Sequence, residues 1–437
     1  MTALEQLGEF VAQCGREAVS EEMRDLVELH VIDTVGACIA GAATAEGRLL
    51  HQFRNATQNE AFAPLGLNIA TRCAQARLSE IDDIHLPSMI TPGGIVIPAA
   101  LSMARARRGP SADDVIGAVL AGYEVMTRLC RAIDGPTVLY RGIWPTYFAA
   151  PIGAAAVAAR VLQLDAQLAA NALALAMTFA SPGVGHHNAA TTSRWLTIGT
   201  AARNGFAAAL AAKEGFTSDL KLIEGNFFSG VYGIAPDVAA LTNGLGADTV
   251  LRDVSFKAWC AARQTMPATQ GLREIIDSGV ASESITEIRA SVLPPHLKMI
   301  DHGVVVGDRA SFLTSLPYCM AVAAVAPQLA FDVQQSPPEV SPAVADFMKK
   351  IKVEADESLL ADYPRRWPAR VRVTAGADTH DLQVTEVPGD PTLPFNRPLV
   401  QDKFRRFVAP SIGAERTEEL LKRCSYGIET GDLSSLL

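Results

Sequence analysis

Ile285-Thr-Glu-Ile-Arg-Ala-Ser-Val-Leu293 alternates apolar and polar side chains at the two-residue period of a half-buried strand. The chain before about residue 258 reads differently: segments 20–42, 92–108, 111–133, 147–162, 165–180 and 194–214 carry apolar residues at helical spacing. Ser111 followed by Asp113 and Asp114, and Asp165, stand where N-caps and first-turn acids belong, and Gly215 follows as a stop. Pro98 is tolerated only near a helix start, so that helix is expected to begin near Ile95. Beyond Leu293 come helical stretches near 308–328 and 339–350, then the alternating run Ala369 to Ala375. Ala375-Gly-Ala-Asp-Thr379 turns that run back into a second strand beginning at His380. After the loop Pro388 to Pro398 the chain returns to helix at 399–407 and 415–424. The expected fold is mainly α with an α+β lid: a discontinuous all-helical domain over 1–262 and 394–437, and a smaller α+β domain over 263–393.

The chain has 437 residues, enough for two cores, and 49% of them are hydrophobic, with Ala abundant and only 6% aromatic. That balance favours helices packed closely through small side chains. The net charge of −9 and the lack of any Lys/Arg-rich block argue against a nucleic-acid partner. Seven cysteines without a CxxC or paired framework suit a reducing, cytoplasmic setting. The most apolar region, Ala149 to Ala180, is interrupted by Pro151, Arg160 and Asp165, so a membrane span is not expected.

Candidate chemistry concentrates in Glu80-Ile-Asp82-Asp83-Ile-His85, which runs into Thr91-Pro92-Gly93-Gly94. Three carboxylates and an imidazole within six positions are costly to bury and unnecessary for folding, so they mark a site where charge is handled. The structural alternative is that Asp82 and Asp83 cap the following helix or pair with arginines. Asp82, Asp83, His85, His186 and His187 include the usual metal-ligand types, but no HExxH spacing supports a metal. There is no Walker loop, no GxGxxG after a strand and no GxSxG elbow. Cofactor-free chemistry is expected.

Six pieces in order resemble the MmgE/PrpD family over nearly the whole chain. They are Asp82-Asp83 with its Pro-Gly turn, Gly153 to Arg160, Ser193-Arg194 to Gly205, Phe256-Lys257-Ala-Trp259-Cys260, Ser315-Leu-Pro317-Tyr318, and Gly389-Asp-Pro with Lys403-Phe404. The family includes 2-methylcitrate dehydratase, cis-aconitate decarboxylase and iminodisuccinate epimerase. The resemblance implies a helical domain with an α+β lid, a site between them, no metal, a small polycarboxylate substrate and usually a homodimer. Departures are informative. Decarboxylase and dehydratase members carry a His where this chain has Thr91; a second His position is Trp144, a Lys is replaced by Arg194, and Met266 stands near a third His.

The retained set of Asp82, Asp83, His85, Tyr147, Arg194 and Lys257 is closest to an epimerase-like member. The resemblance implies proton movement at a carbon beside a carboxylate, which needs a base, an acid on the opposite face and cations facing the developing charge. Lys257 and Tyr147 are the candidates for proton transfer, and Arg194 for gripping a carboxylate through its planar fork. His186 and His187 are candidates for contacting a second carboxylate, with Thr91 and Trp144 lining the same space. Asp82 and Asp83 are expected to orient His85 or Lys257. A hydro-lyase is the alternative, with His85 protonating the leaving hydroxyl; a decarboxylase or a non-catalytic binding protein are further ones. Each residue also has a structural alternative: a hydrogen-bonding His85, a solvated Lys257, a core Tyr147, a salt-bridging Arg194, and loop histidines.

Overall fold

The computed structural model describes residues 1–15, 19–48, 50–51, 64–106, 111–181, 192–334, 339–430 and 436. The fold is mainly α with a small α+β part, and the chain divides into two compact units. The described residues of the first unit are those in 1–181, 192–254 and 396–436, and those of the second run from Ser255 to Phe395. The second unit thus begins earlier than the texture change in the sequence suggests, and it includes Lys257.

The first unit holds helices α1 (Ala3–Gln13), α2 (Glu21–Ala42), α3 (Pro64–Leu78), α4 (Gly93–Ala106), α5 (Ala112–Ala132), α6 (Gly135–Tyr140), α7 (Pro145–Val161), α8 (Ala166–Thr178), α9 (Ser193–Lys213) and α10 (Val238–Thr242). Local chemistry sets several starts. Thr2 with Glu5, and Ser111 with Asp114, form capping boxes, while Asp165 accepts from the Leu168 amide. Helix α9 packs on α7, α3 and α8. A Cβ on Gly199 would lie 2.3 Å from the Ala70 carbonyl oxygen, and one on Gly205 would lie 2.0 Å from that of Pro151. Small residues therefore let these backbones approach more closely than any larger side chain permits.

Helices α16 (Arg397–Ile412) and α17 (Ala414–Thr430) return to this unit, with α16 against α2. Buried Lys403 of α16 pairs with Asp33 of α2 and donates to the Ile81 carbonyl at 2.6 Å. That bond fixes the backbone immediately before Asp82.

The second unit carries the sheet. After the two-residue strands β1 (Ile84–His85, first unit) and β2 (Val254–Ser255) come β3 (Ile285–Val292), β4 (Ile351–Ala355), β5 (Ala369–Ala375) and β6 (Asp378–Val384), the last four in the order β4-β3-β5-β6. Ile288 pairs with Ile351 in the parallel β3/β4 ladder and with Val373 in the antiparallel β3/β5 ladder. Val371 and Val373 point from the buried face of β5, on which α11 (Met266–Asp277) packs. Helices α12 (Pro294–Ile300), α13 (Arg309–Thr314), α14 (Leu316–Val325) and α15 (Pro342–Met348) lie between β3 and β4. Leu272, Phe312, Met320, Val371 and Val373 join one core, where each large apolar side chain contributes about 1.5–3 kcal/mol by burial.

Among the described residues no helix is long and apolar enough to cross a membrane.

Candidate functional site

The acidic turn is built by tertiary partners. Asp83 is fully buried and accepts from Tyr123 Oη at 2.6 Å, from the Gly93 amide at 2.8 Å and from His30 Nδ1 at 2.9 Å. Burial, and after it the Asp83 charge, holds the Tyr123 phenol well above its ordinary pKa, so it stays a donor. The Gly93 bond starts α4 two residues before the Ile95 expected from Pro98, because the carboxylate satisfies a first-turn amide. Asp82, also fully buried, pairs with Arg77 at the end of α3, whose Nη2 lies 3.3 Å from Glu80 Oε1.

His85 does not take its orientation from Asp83. Its Nδ1 accepts from the Ser88 backbone amide at 3.2 Å and lies 2.9 Å from Ser88 Oγ, which donates to the Thr127 carbonyl at 2.9 Å. Burial, followed by the charge of Arg131, pushes the pKa of His85 down to about 3, so the ring is neutral at pH 7. Among the described residues Asp83 serves the His30, Tyr123 and α4 contacts and Ser88 holds His85, so the role of orienting His85 or Lys257 is not seen in the hydrogen bonds of Asp83.

A second group gathers at the starts of α7 and α9. Trp144 precedes α7, and its ring meets Tyr147 edge-on at 5.7 Å. Arg194, in the first turn of α9, places its guanidinium carbon 5.6 Å from the ring centroids of both Trp144 and Trp195. Tyr147 is 2% exposed. Burial pushes its phenol up to about 12 against the opposing pull of Arg77 and Arg194. It is therefore a neutral donor that feels the charges of Arg77 and Arg194 and, against them, those of Glu80 and Asp82, and it is suited to giving a hydrogen bond to a developing anion. The Thr91 amide donates to Thr146 Oγ1 at 3.1 Å, which ties the turn after the acidic segment to the residue beside Tyr147. The structure thus brings Asp82, Thr91, Trp144, Tyr147 and Arg194 into one neighbourhood of the first unit.

Lys257 lies in the second unit, 2% exposed, on an irregular stretch after β2. His186 and His187 lie outside the described residues.

Comparison with known proteins bears on this arrangement. The MmgE/PrpD N-terminal domain profile matches residues 5–237, and the MmgE/PrpD C-terminal domain profile matches residues 259–426. The chain belongs to the MmgE/PrpD family. Human cis-aconitate decarboxylase is 26% identical to it over 206 residues, a stretch that covers 44% of this chain and 42% of that protein. The chain is thus aligned with less than half of the relative's length. Within the MmgE/PrpD N-terminal match lie Asp82, Asp83, His85, Tyr147 and Arg194, together with three residues that sequence reasoning passed over: Arg77, His30 and Tyr123. The only local signal for Arg77 is its place one helical turn before Glu80; His30 and Tyr123 carry none.

Proposed function

We propose that this MmgE/PrpD protein is a cofactor-independent acid/base enzyme that moves a proton at the carbon beside a carboxylate of a small di- or tricarboxylic acid, as an epimerase. The observation that carries this reading is the buried Tyr147 beside Trp144, whose ring carries the Arg194 guanidinium. In the proposed step Lys257 removes the α-proton and charge develops on the carboxylate oxygens. Arg194 binds that carboxylate bidentately, and Tyr147 delivers a proton to the opposite face. Burial disfavours the phenolate left behind, the charges of Arg77 and Arg194 offset part of that cost, and the oxygen regains a proton before the next turnover. Asp82 keeps Arg77 in place.

A dehydratase demands, in addition, an acid for the departing hydroxyl. His85 is ill-suited to that role, because a ring held neutral at pH 7 has only a weakly acidic N–H proton to give. A decarboxylase is the second reading, favoured by the similarity to human cis-aconitate decarboxylase. Carbon dioxide loss also leaves a carbanion that Tyr147 can protonate. Incubation with a panel of di- and tricarboxylates in deuterated water separates the cases. Deuterium at the α-carbon with inversion supports the epimerase. Release of carbon dioxide, or an absorbance rise from a new conjugated double bond, overturns it in favour of a lyase. The family resemblance also supports a homodimer of this chain in solution, which light scattering would refute by giving a monomer mass.

A further inference from the structure

Lys257 sits in a stretch, Phe256 to Ala262, that is neither helix nor strand and so has no ladder of its own to fix it. Its position is set by bonds to distant segments: the Cys260 and Ala262 amides donate to the Ala330 and Leu313 carbonyls at 3.0 and 2.8 Å, while Phe256 at the near end and Arg263, the residue just past the far end, both close on one loop. At the near end, the Phe256 amide donates to the Gly389 carbonyl at 2.9 Å, and the Phe256 ring stacks on Phe395 at 6.3 Å and 10°. At the far end, Arg263 Nη2 donates to Asp390 Oδ2 at 2.5 Å, and the same oxygen accepts from the Val387 amide at 2.9 Å. Arg263 and Asp390 are 1% and 2% exposed. Arg263 Nε and Nη1 have no hydrogen-bond partner among the described residues, so Asp390 is the group that anchors the guanidinium. Gly389 has φ +99°, and a Cβ there would lie 2.2 Å from the Phe256 carbonyl oxygen, so the loop presses directly on the backbone next to Lys257.

We propose that the 387–395 loop is a clamp whose residues Asp390 and Phe395 are positioning residues for Lys257, holding its stretch from both ends. The clamp rests on the proposed role of Lys257 only for its consequence in turnover; the positioning itself is read without activity. Phe395 is only half-buried, so Phe395→Ala removes one jaw with little threat to folding, whereas Asp390→Asn strips a buried guanidinium of its counter-charge. The test is lysine acetylation by an N-hydroxysuccinimide ester, read site by site by mass spectrometry. Exposed Lys349 serves as the internal reference and buried Lys403 as the folding control.

In wild-type protein and Phe395→Tyr, Lys257 is expected to stay protected. In Phe395→Ala its rate rises at least fivefold relative to Lys349 while Lys403 stays protected. An unchanged Lys257 rate in Phe395→Ala overturns the clamp. Turnover then separates the two claims. If Lys257→Ala is inactive, Phe395→Ala should lower kcat about tenfold with KM within twofold, since small displacements of a reacting group are costly. Full turnover by Lys257→Ala rejects the catalytic role and leaves the acetylation result to judge the clamp.

Discussion

The guanidinium of Arg194 lies 5.6 Å over the ring of Trp144, and Trp195 holds it at the same distance. Two indole faces attract the cation and limit its rotation, so its planar fork is preorganised for a carboxylate. Arg194→Lys keeps the charge but loses the fork and the flat stacking surface. We expect KM to rise about 10-fold or more, corresponding to roughly 1.4 kcal/mol of lost binding, with a smaller change in kcat. Steady-state kinetics on the substrate found by deuterium exchange checks this. A variant with wild-type KM removes Arg194 from substrate binding.

Tyr147→Phe is the cleanest probe of the proton donor. The ring and its edge contact with Trp144 survive, and only the buried hydroxyl goes. We expect kcat to fall about 10²–10⁴-fold, the usual contribution of a positioned acid or base, with the thermal midpoint nearly unchanged. Inversion should stop before exchange does, because Lys257 can still return a proton to the face it came from. Equal loss of both, with normal folding, would point to a single-base mechanism without Tyr147.

Much of the architecture is legible in the residues because its causes are local. The Ser111 and Asp165 caps and the alternation in Ile285 to Val292 each act within a few positions. Strand β4 escapes because Ile351-Lys-Val-Glu-Ala355 is short and adjoins a helical pattern; its status comes from pairing with β3. The candidate site divides the same way. Asp82, Asp83, Tyr147 and Arg194 stand out as chemistry-bearing types in family-like surroundings. The partners that fix the aspartates are different. Tyr123 and His30 lie 40 and 53 residues from Asp83, and no local pattern announces them. His85 illustrates the opposite hazard, since closeness in sequence to two carboxylates suggested a partnership that the tight turn to Ser88 replaces.

Gly93 should be the least replaceable position of the acidic turn. An added Cβ would lie 2.6 Å from both Asp83 Oδ2 and Tyr123 Oη, two atoms already locked together. Gly93→Ala must break that contact or shift the start of α4, at about 1–3 kcal/mol. Gly303→Ala is the matched control: nothing lies within 4 Å of its Cβ and its φ is ordinary. The control should stay within about 0.5 kcal/mol of wild type. Urea unfolding of the two variants gives the comparison, and equal midpoints would contradict the tight packing around Asp83.

Acid should destabilise the protein through its buried histidines, and the sign follows from their shifts. Burial, aided by Arg131 for His85 and by Arg263 for His296, lowers both folded pKa values from 6.5 to about 3. Above pH 6.5 both rings are neutral in folded and unfolded chains alike, so neither contributes a pH dependence. As pH falls below 6.5 the unfolded chain binds protons that the folded one refuses, and stability drops until the folded rings also protonate near pH 3. Each ring steepens the loss by about 1.4 kcal/mol per pH unit in that window. His85→Gln has a side-chain oxygen to accept the Ser88 amide but does not titrate. Urea midpoints measured from pH 7 to pH 4 should therefore fall less steeply for His85→Gln than for wild type, whatever its stability at pH 7. Parallel curves would mean that His85 takes up a proton in the folded state, and the objection to it as the acid of a dehydratase would then fall.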